Sequence, residues 1–239
     1  MDSNEVKLLG TLQAPPDVRT AQDGATVMNL RLLTELPFIK DGEEKIAKEF
    51  HRVVLFGKLA DNASTRLKEG STVIIDGRLQ TREFESEGVK RSMTEIVARN
   101  FNHLTDEPGA NIPHENKAQI VGHVGQDPKI GNNFMSFSVA TNEVFGGTNG
   151  GDRKEKTTWH DVTVFGENMP VEGSVAKGGA VVISGPVHTR SWEKDGQKHY
   201  RTGIVADSVS PFTPPAVAPE QNRQEENTRR TSRNPAPFA

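Results

Sequence analysis

Cysteine is absent from all 239 residues. Its absence excludes a disulfide framework and any zinc site built on thiolates, and a reducing, cytoplasmic compartment is the expected setting. Long apolar runs are also missing. None approaches the roughly 20 residues of a membrane span, and the opening Met1-Asp2-Ser3-Asn4-Glu5 is acidic. Neither a membrane segment nor a secretory leader is expected. Hydrophobic residues make up only 33% of the chain, so part of its length is expected to stay unfolded. No sign of charge dominates. The net charge is −3; residues 1–104 carry 15 Lys/Arg against 16 Asp/Glu, and residues 117–212 carry 10 against 10. A surface for a polyanion must therefore come from sorting cations onto one face rather than from bulk excess. The chain has no Gly-Lys-Ser/Thr phosphate loop, no His-Glu-x-x-His pair and no Gly-x-Ser-x-Gly elbow. Catalysis, a cofactor and a metal are all unexpected on that ground.

What the sequence does contain is a repeat. Residues 50–60, FHRVVLFGKLA, return in large part as WHDVTVFGE at 159–167. Each copy opens on an aromatic and His, alternates through β-branched residues and closes on Phe-Gly. Alternation predicts a strand with two unlike faces. Phe50, Arg52, Val54 and Phe56 share one side; His51, Val53 and Leu55 share the other. An exposed row of ring, cation and ring is a platform for unpaired bases.

The rest of the chain falls into the same two copies. Residues 5–12 and 26–34 read as strands, with a turn forced by Pro15-Pro16 and a polar connection over 35–49. After the first motif, 59–68 suits a short helix stopped by Gly70. Residues 72–84 form a long strand bent at Gly77, and 91–101 form the return strand. Strand, strand, strand, helix, strand, strand is the order of a five-stranded Greek-key barrel, the OB-fold. Residues 105–115 lack periodicity and read as a linker. The pattern then recurs, with Gly122 standing for Gly10, Gly185 for Gly77 and Trp192 for Phe84. Residues 142–158, with two Gly pairs, read as a long mobile loop, and Pro170 and Gly173 break the helix slot. After 212 the Pro-, Gln-, Asn- and Arg-rich segment 213–239 reads as a disordered tail. The chain is thus expected to be all-β: OB-fold 1 over 1–104, OB-fold 2 over 116–212, then the tail.

The runs HRVVLFGKLA, NKAQIVGHVGQDP and VVISGPVHTRSWEKDGQKHY resemble the bacterial single-stranded DNA-binding proteins, and the likeness spans 4–104 and 116–212. Two copies per chain resemble that family's tandem branch. The resemblance implies a homodimer presenting four OB-folds, single-stranded DNA as partner, and a cytoplasmic, nucleoid-associated place in replication, recombination and repair. It also implies base stacking at four positions per fold: Phe38, Phe50, Phe56 and Phe84 in the first, and Phe145, Trp159, Phe165 and Trp192 in the second. Two other readings stay open, an RNA-binding OB protein and a primosome-like protein-interaction adaptor.

Phosphates require cations beside those rings. By parity Arg78 and Arg82 accompany Phe84, and Arg52 accompanies Phe50 and Phe56; Arg31 and Lys7 extend the track. In the second copy Arg190 is kept, but Asp161 stands where Arg52 stands and Pro186 where Arg78 stands. Lys154, Lys156, Lys194 and Lys198 fall in expected loops. The first fold is therefore expected to lean on charge and the second on its two Trp. His51 and His160, of opposite parity, are expected to be packed rather than to bind metal. The family's acidic tip, through which replication and repair proteins are recruited, has no counterpart here. The chain ends Pro235-Ala236-Pro237-Phe238-Ala239, preceded by Arg229, Arg230 and Arg233.

Overall fold

The computed structural model describes residues 2–40, 42–86, 89–107, 110–145, 154–194 and 196–212; the expected tail lies outside the described residues. The first half contains β1 (Ser3–Leu12), β2 (Asp17–Thr20), β3 (Thr26–Lys40), β4 (Glu43–Phe56), α1 (Gly57–Ser64), β5 (Thr72–Ser86) and β6 (Val89–Thr105). The second contains β7 (Glu115–Val124), β8 (Lys129–Gly131), β9 (Phe134–Phe145), β10 (Lys154–Phe165), a 3-10 turn (Gly166–Asn168), β11 (Ala180–Gly185), β12 (Val187–Lys194), β13 (Gln197–Ala206) and β14 (Ser208–Phe212).

Each half closes on itself. β1 pairs with β3, β3 with β4, β4 in parallel with β6, β6 with β5, and β5 with β1. The second ring runs β7, β9, β10, β13 (parallel to β10), β12 with β11, and back to β7. These are two OB-fold barrels. Alternate residues of β1, among them Leu8 and Leu12, point inward with Met28, Leu32, Leu55 and Ile75. Ala60 and Ala63 of α1 plug the first barrel. Where Pro170 and Gly173 forbid a helix, Val175 and the partly buried Met169 pack on the second core instead.

Strands β1 and β7 cross two others within a narrow barrel, and the glycines permit it. A Cβ on Gly10 would strike the Leu33 carbonyl, and one on Gly122 the Ala140 carbonyl. The fourth strand of each barrel likewise requires Gly77 and Gly185. In the second copy this strand also breaks at Pro186, which has no N–H to give the ladder.

Two expected loops are strands. The polar connection 35–49 is a hairpin in which β3 and β4 stay paired from Leu36↔Ala47 out to Lys40↔Glu43. Of the loop expected at 142–158, the flanks are paired β9 and β10, Thr158↔Thr141 to Lys154↔Phe145; 146–153 lie outside the described residues. The short β2 and β8 and the closing β14 carry too little alternation to be read from sequence.

The barrels join along β1 and β7, antiparallel from Ser3↔Val121 to Leu9↔Glu115. Equivalent residues, such as Asn4 and Asn116, sit symmetrically about the pair Val6↔Ala118, so a local twofold axis passes there. Polar anchors repeat about it. The Asn4 amide exchanges two hydrogen bonds with the Leu79 backbone (2.8 and 3.0 Å), and the Asn116 amide does the same with Val187 (2.8 and 2.9 Å). Each amide serves backbone groups that the departing fourth strand would otherwise leave unpaired. Further contacts fix the two barrels together. Glu143 holds Arg78 (3.3 Å) and Arg99 (3.1 Å), and Glu49 accepts from the Thr189 N–H (3.2 Å) and contacts His188.

Candidate nucleic-acid interface

A groove of about 1030 Å³ opens between the barrels, walled by β4, β5 and β6 on one side and β10, β12 and β13 on the other. Its lining comes in equivalent pairs: Phe50 and Trp159, Phe84 and Trp192, Thr81 and Thr189, Thr94 and Thr202, Ser92 and Tyr200. The ladders establish the correspondence, since Phe84↔Arg91 in one hairpin matches Trp192↔His199 in the other. The groove therefore straddles the local twofold, and both barrels build it.

The rings stand free because alternation along the strands turns them outward while their neighbours fill the cores. Trp159 is 55% exposed, while adjacent His160 and Val162 are buried. Its ring lies against Gly125, where any side chain would collide with it. Phe50 carries the Arg31 guanidinium 4.8 Å from its centroid, and Phe84 carries Arg82 at 5.5 Å. Trp192 stacks on His199 with centroids 5.5 Å apart. Each of these three rings keeps surface toward the groove.

The cations are held by carboxylates. Glu95, only 4% exposed, accepts Arg82 Nε at 3.2 Å and lies 3.9 Å from Arg52 Nε. In the second barrel the position of Glu95 is Gly203, and the sense is reversed: Asp161 on β10 grips Arg201 on β13. Hydrogen bonds donated by Arg201 to Asp161 raise the Arg201 pKa further. Asp161 thus does not empty the second half of cations; it positions one. Lys198 lies on β13, not in a loop, with its ammonium 5.9 Å from the Tyr200 ring. Lys154 and Lys156 are likewise in a strand, β10.

Other residues singled out from sequence lie elsewhere. Arg78 is half-buried in its ion pair with Glu143, and Lys7 pairs with Glu115 at 3.5 Å. Phe56 and Phe165 are exposed at the far ends of β4 and β10; Phe165 meets Phe134 at 6.5 Å. Phe38 is exposed on the β3–β4 hairpin. Arg190 is exposed on β12 opposite Arg201. None of these six lines the groove. The Phe145 backbone ends β9, and its side chain lies outside the described residues. His51 and His160 are buried, each sharing a 2.8 Å hydrogen bond with a Thr, Thr34 and Thr141. Burial lowers both to about 4, against smaller opposing effects of Glu49 and Asp161. Sequence reasoning missed Tyr200, Arg201, His199 and Glu95. The signal for the first three was KHYR facing Trp192 across a hairpin; for Glu95 there was none, because a lone Glu between Thr and Ile reads as surface.

Two barrels that pool outward rings and edge cations into one open groove define a tandem OB-fold protein with a surface suited to an unpaired, anionic chain. The chain belongs to the single-strand binding protein family, whose model matches residues 3–104 and 115–212. It is 31% identical over 224 residues to a single-stranded DNA-binding protein of Deinococcus radiodurans, covering 86% of this chain and 74% of that one. It is 26% identical over 220 residues to a single-stranded DNA-binding protein of Thermus aquaticus, covering 85% and 82%. Among solved structures, a deletion mutant of the Thermus aquaticus protein superposes with a TM-score of 0.73 at 22% identity, covering 92% of this chain and 98% of that one. The wild-type form gives 0.71 at 23%, covering 91% and 97%. At these identities the superpositions speak for the fold.

Proposed function

We propose that this chain binds single-stranded DNA without reading its sequence, and coats it during replication, recombination and repair. The observation that carries the reading is the shared groove: Phe50, Phe84, Trp159 and Trp192, from two barrels, meet there with Arg52 and Arg201, and Arg82 lies over the Phe84 ring just outside the lining. Bases stack on the rings, worth about 1–3 kcal/mol each and indifferent to base identity because every base has a π-face. Guanidiniums at the rims meet phosphates. Phe38, Phe56, Phe145, Phe165 and Arg190 extend the path beyond the groove, while Arg78 belongs to the contact between barrels. The mode is binding, not catalysis, with no cofactor or metal. Two chains assemble as a homodimer with four OB-folds, working in the cytoplasm. Arg229, Arg230 and Arg233, in the segment that follows the second barrel, add cations suited to phosphates. The test is titration with oligothymidylate followed by Trp fluorescence, with an oligouridylate as competitor. Tight, quenching association with DNA supports the reading. Absence of binding, or preference for the RNA, overturns it.

A further inference from the structure

The groove has a twofold axis and a polynucleotide strand has none. A strand that crosses the axis meets one barrel running 5′ to 3′ and the other running 3′ to 5′. Groups that repeat about the axis, such as the Thr81–Thr94 and Thr189–Thr202 pairs at 2.9 Å each, cannot tell it which way to lie. Groups that do not repeat can. Arg31 caps Phe50 where Ser138 lies beside Trp159. Arg52 faces Asp161, Met93 faces Arg201, and buried Glu95 faces Gly203 across the axis. The largest difference is Tyr200, a ring 64% exposed, where the first barrel has Ser92. Bridging contacts are one-sided as well: Glu49 reaches His188 and Thr189, whereas its counterpart Thr158 is buried with its hydroxyl unpaired.

We propose that the groove takes a single strand in one fixed polarity, chosen by these unequal pairs and above all by Tyr200, which adds a stacking ring to the second barrel alone. This rests on the single-stranded DNA reading above. Each half presents its rings and cations in a distinct arrangement, so reversing the strand brings to Tyr200 a nucleotide whose backbone runs the other way, and a ring held between Lys198 and Arg201 stacks its base in only one of the two directions. Stacking on one ring is enough to favour one direction about tenfold.

The experiment uses the full chain and an oligothymidylate of about 10 nucleotides, within the range one OB-fold occupies, bearing one 5-iododeoxyuridine at its 5′ or its 3′ end. Binding is first verified by fluorescence titration; the complex is then photocrosslinked and the modified peptides are assigned to barrel 1 or barrel 2 by mass spectrometry. Fixed polarity predicts that the ratio of barrel 2 to barrel 1 crosslinks changes at least about fivefold when the label moves between ends. It also predicts that the exchange Tyr200→Ser with Ser92→Tyr, at two exposed sites, erases or inverts the change. A bound oligomer whose ratio is the same for either label, or whose two ends both crosslink one barrel, overturns the proposal, as does a bias untouched by the exchange. An oligomer that does not bind overturns instead the reading beneath it.

Discussion

At the scale of single residues, exposure and burial assign different roles to neighbours one position apart. Trp159 stands in the groove while His160 is packed against Thr141. Trp192→Ala removes one stacking surface and is expected to weaken oligothymidylate binding about tenfold without lowering the unfolding temperature, as titration and thermal melts will show. Gly185→Ala should do the reverse. Its Cβ would drive into the Val205 carbonyl, an overpacking cost of about 2–3 kcal/mol that chemical denaturation measures. The histidines make stability depend on pH. His51 and His160 titrate at about 4 when folded and near the ordinary 6.5 when unfolded. The unfolded chain therefore binds more protons below 6.5, and stability falls as pH falls through that window. Between pH 6.5 and 5 the loss is about 2 kcal/mol per histidine. Urea unfolding across that range should show it, and His160→Asn should remove roughly half of it. His188 has the opposite sense: contact with Glu49 raises its pKa, so its contribution is full below 6.5 and fades as pH rises.

At the scale of elements, the hairpin of β12 and β13 carries much of the second half's chemistry: Trp192, His199, Tyr200, Lys198 and Arg201. The repeat made the barrels legible, because Gly10, Gly77 and their copies recur at positions where backbones nearly touch. Parity made Phe50, Arg52, Arg82 and Phe84 legible as one face. It grouped Arg78 with them, whereas Arg78 sits lower on β5, close to the join between the barrels, where Glu143 holds it at 3.3 Å. It also undervalued the second barrel, because Asp161 looks like a lost cation until β13 is laid beside β10 and supplies Arg201. The paired strand flanks within 35–49 and 142–158 read as loops in the sequence because their described outer residues face solvent on both sides and show no alternation. With Arg201 restored, the two barrels are closer in cationic character than their sequences imply. Arg201→Ala should lower the slope of log affinity against log salt by about 0.7, the value for one phosphate contact on a single strand. Arg52→Ala should lower it by a similar amount, about 0.7. If Arg201→Ala leaves the slope unchanged, Arg201 serves only to neutralise Asp161.

At the scale of the whole molecule, β1 and β7 join two five-stranded rings about an axis, and the groove lies across that axis with half its wall from each ring. No single barrel contains the site; the contacts of Glu143 with Arg78 and Arg99, and of Glu49 with Thr189, hold its walls in place. The two folds are expected to act as one site rather than as two beads on a string. Calorimetric titration of the full chain with an oligothymidylate of about 10 nucleotides, short enough for a single OB-fold, tests this most directly. One oligomer bound per chain, with Phe84→Ala and Trp192→Ala each weakening that same event, is the predicted result. Two oligomers per chain, each sensitive to only one of those substitutions, would contradict it.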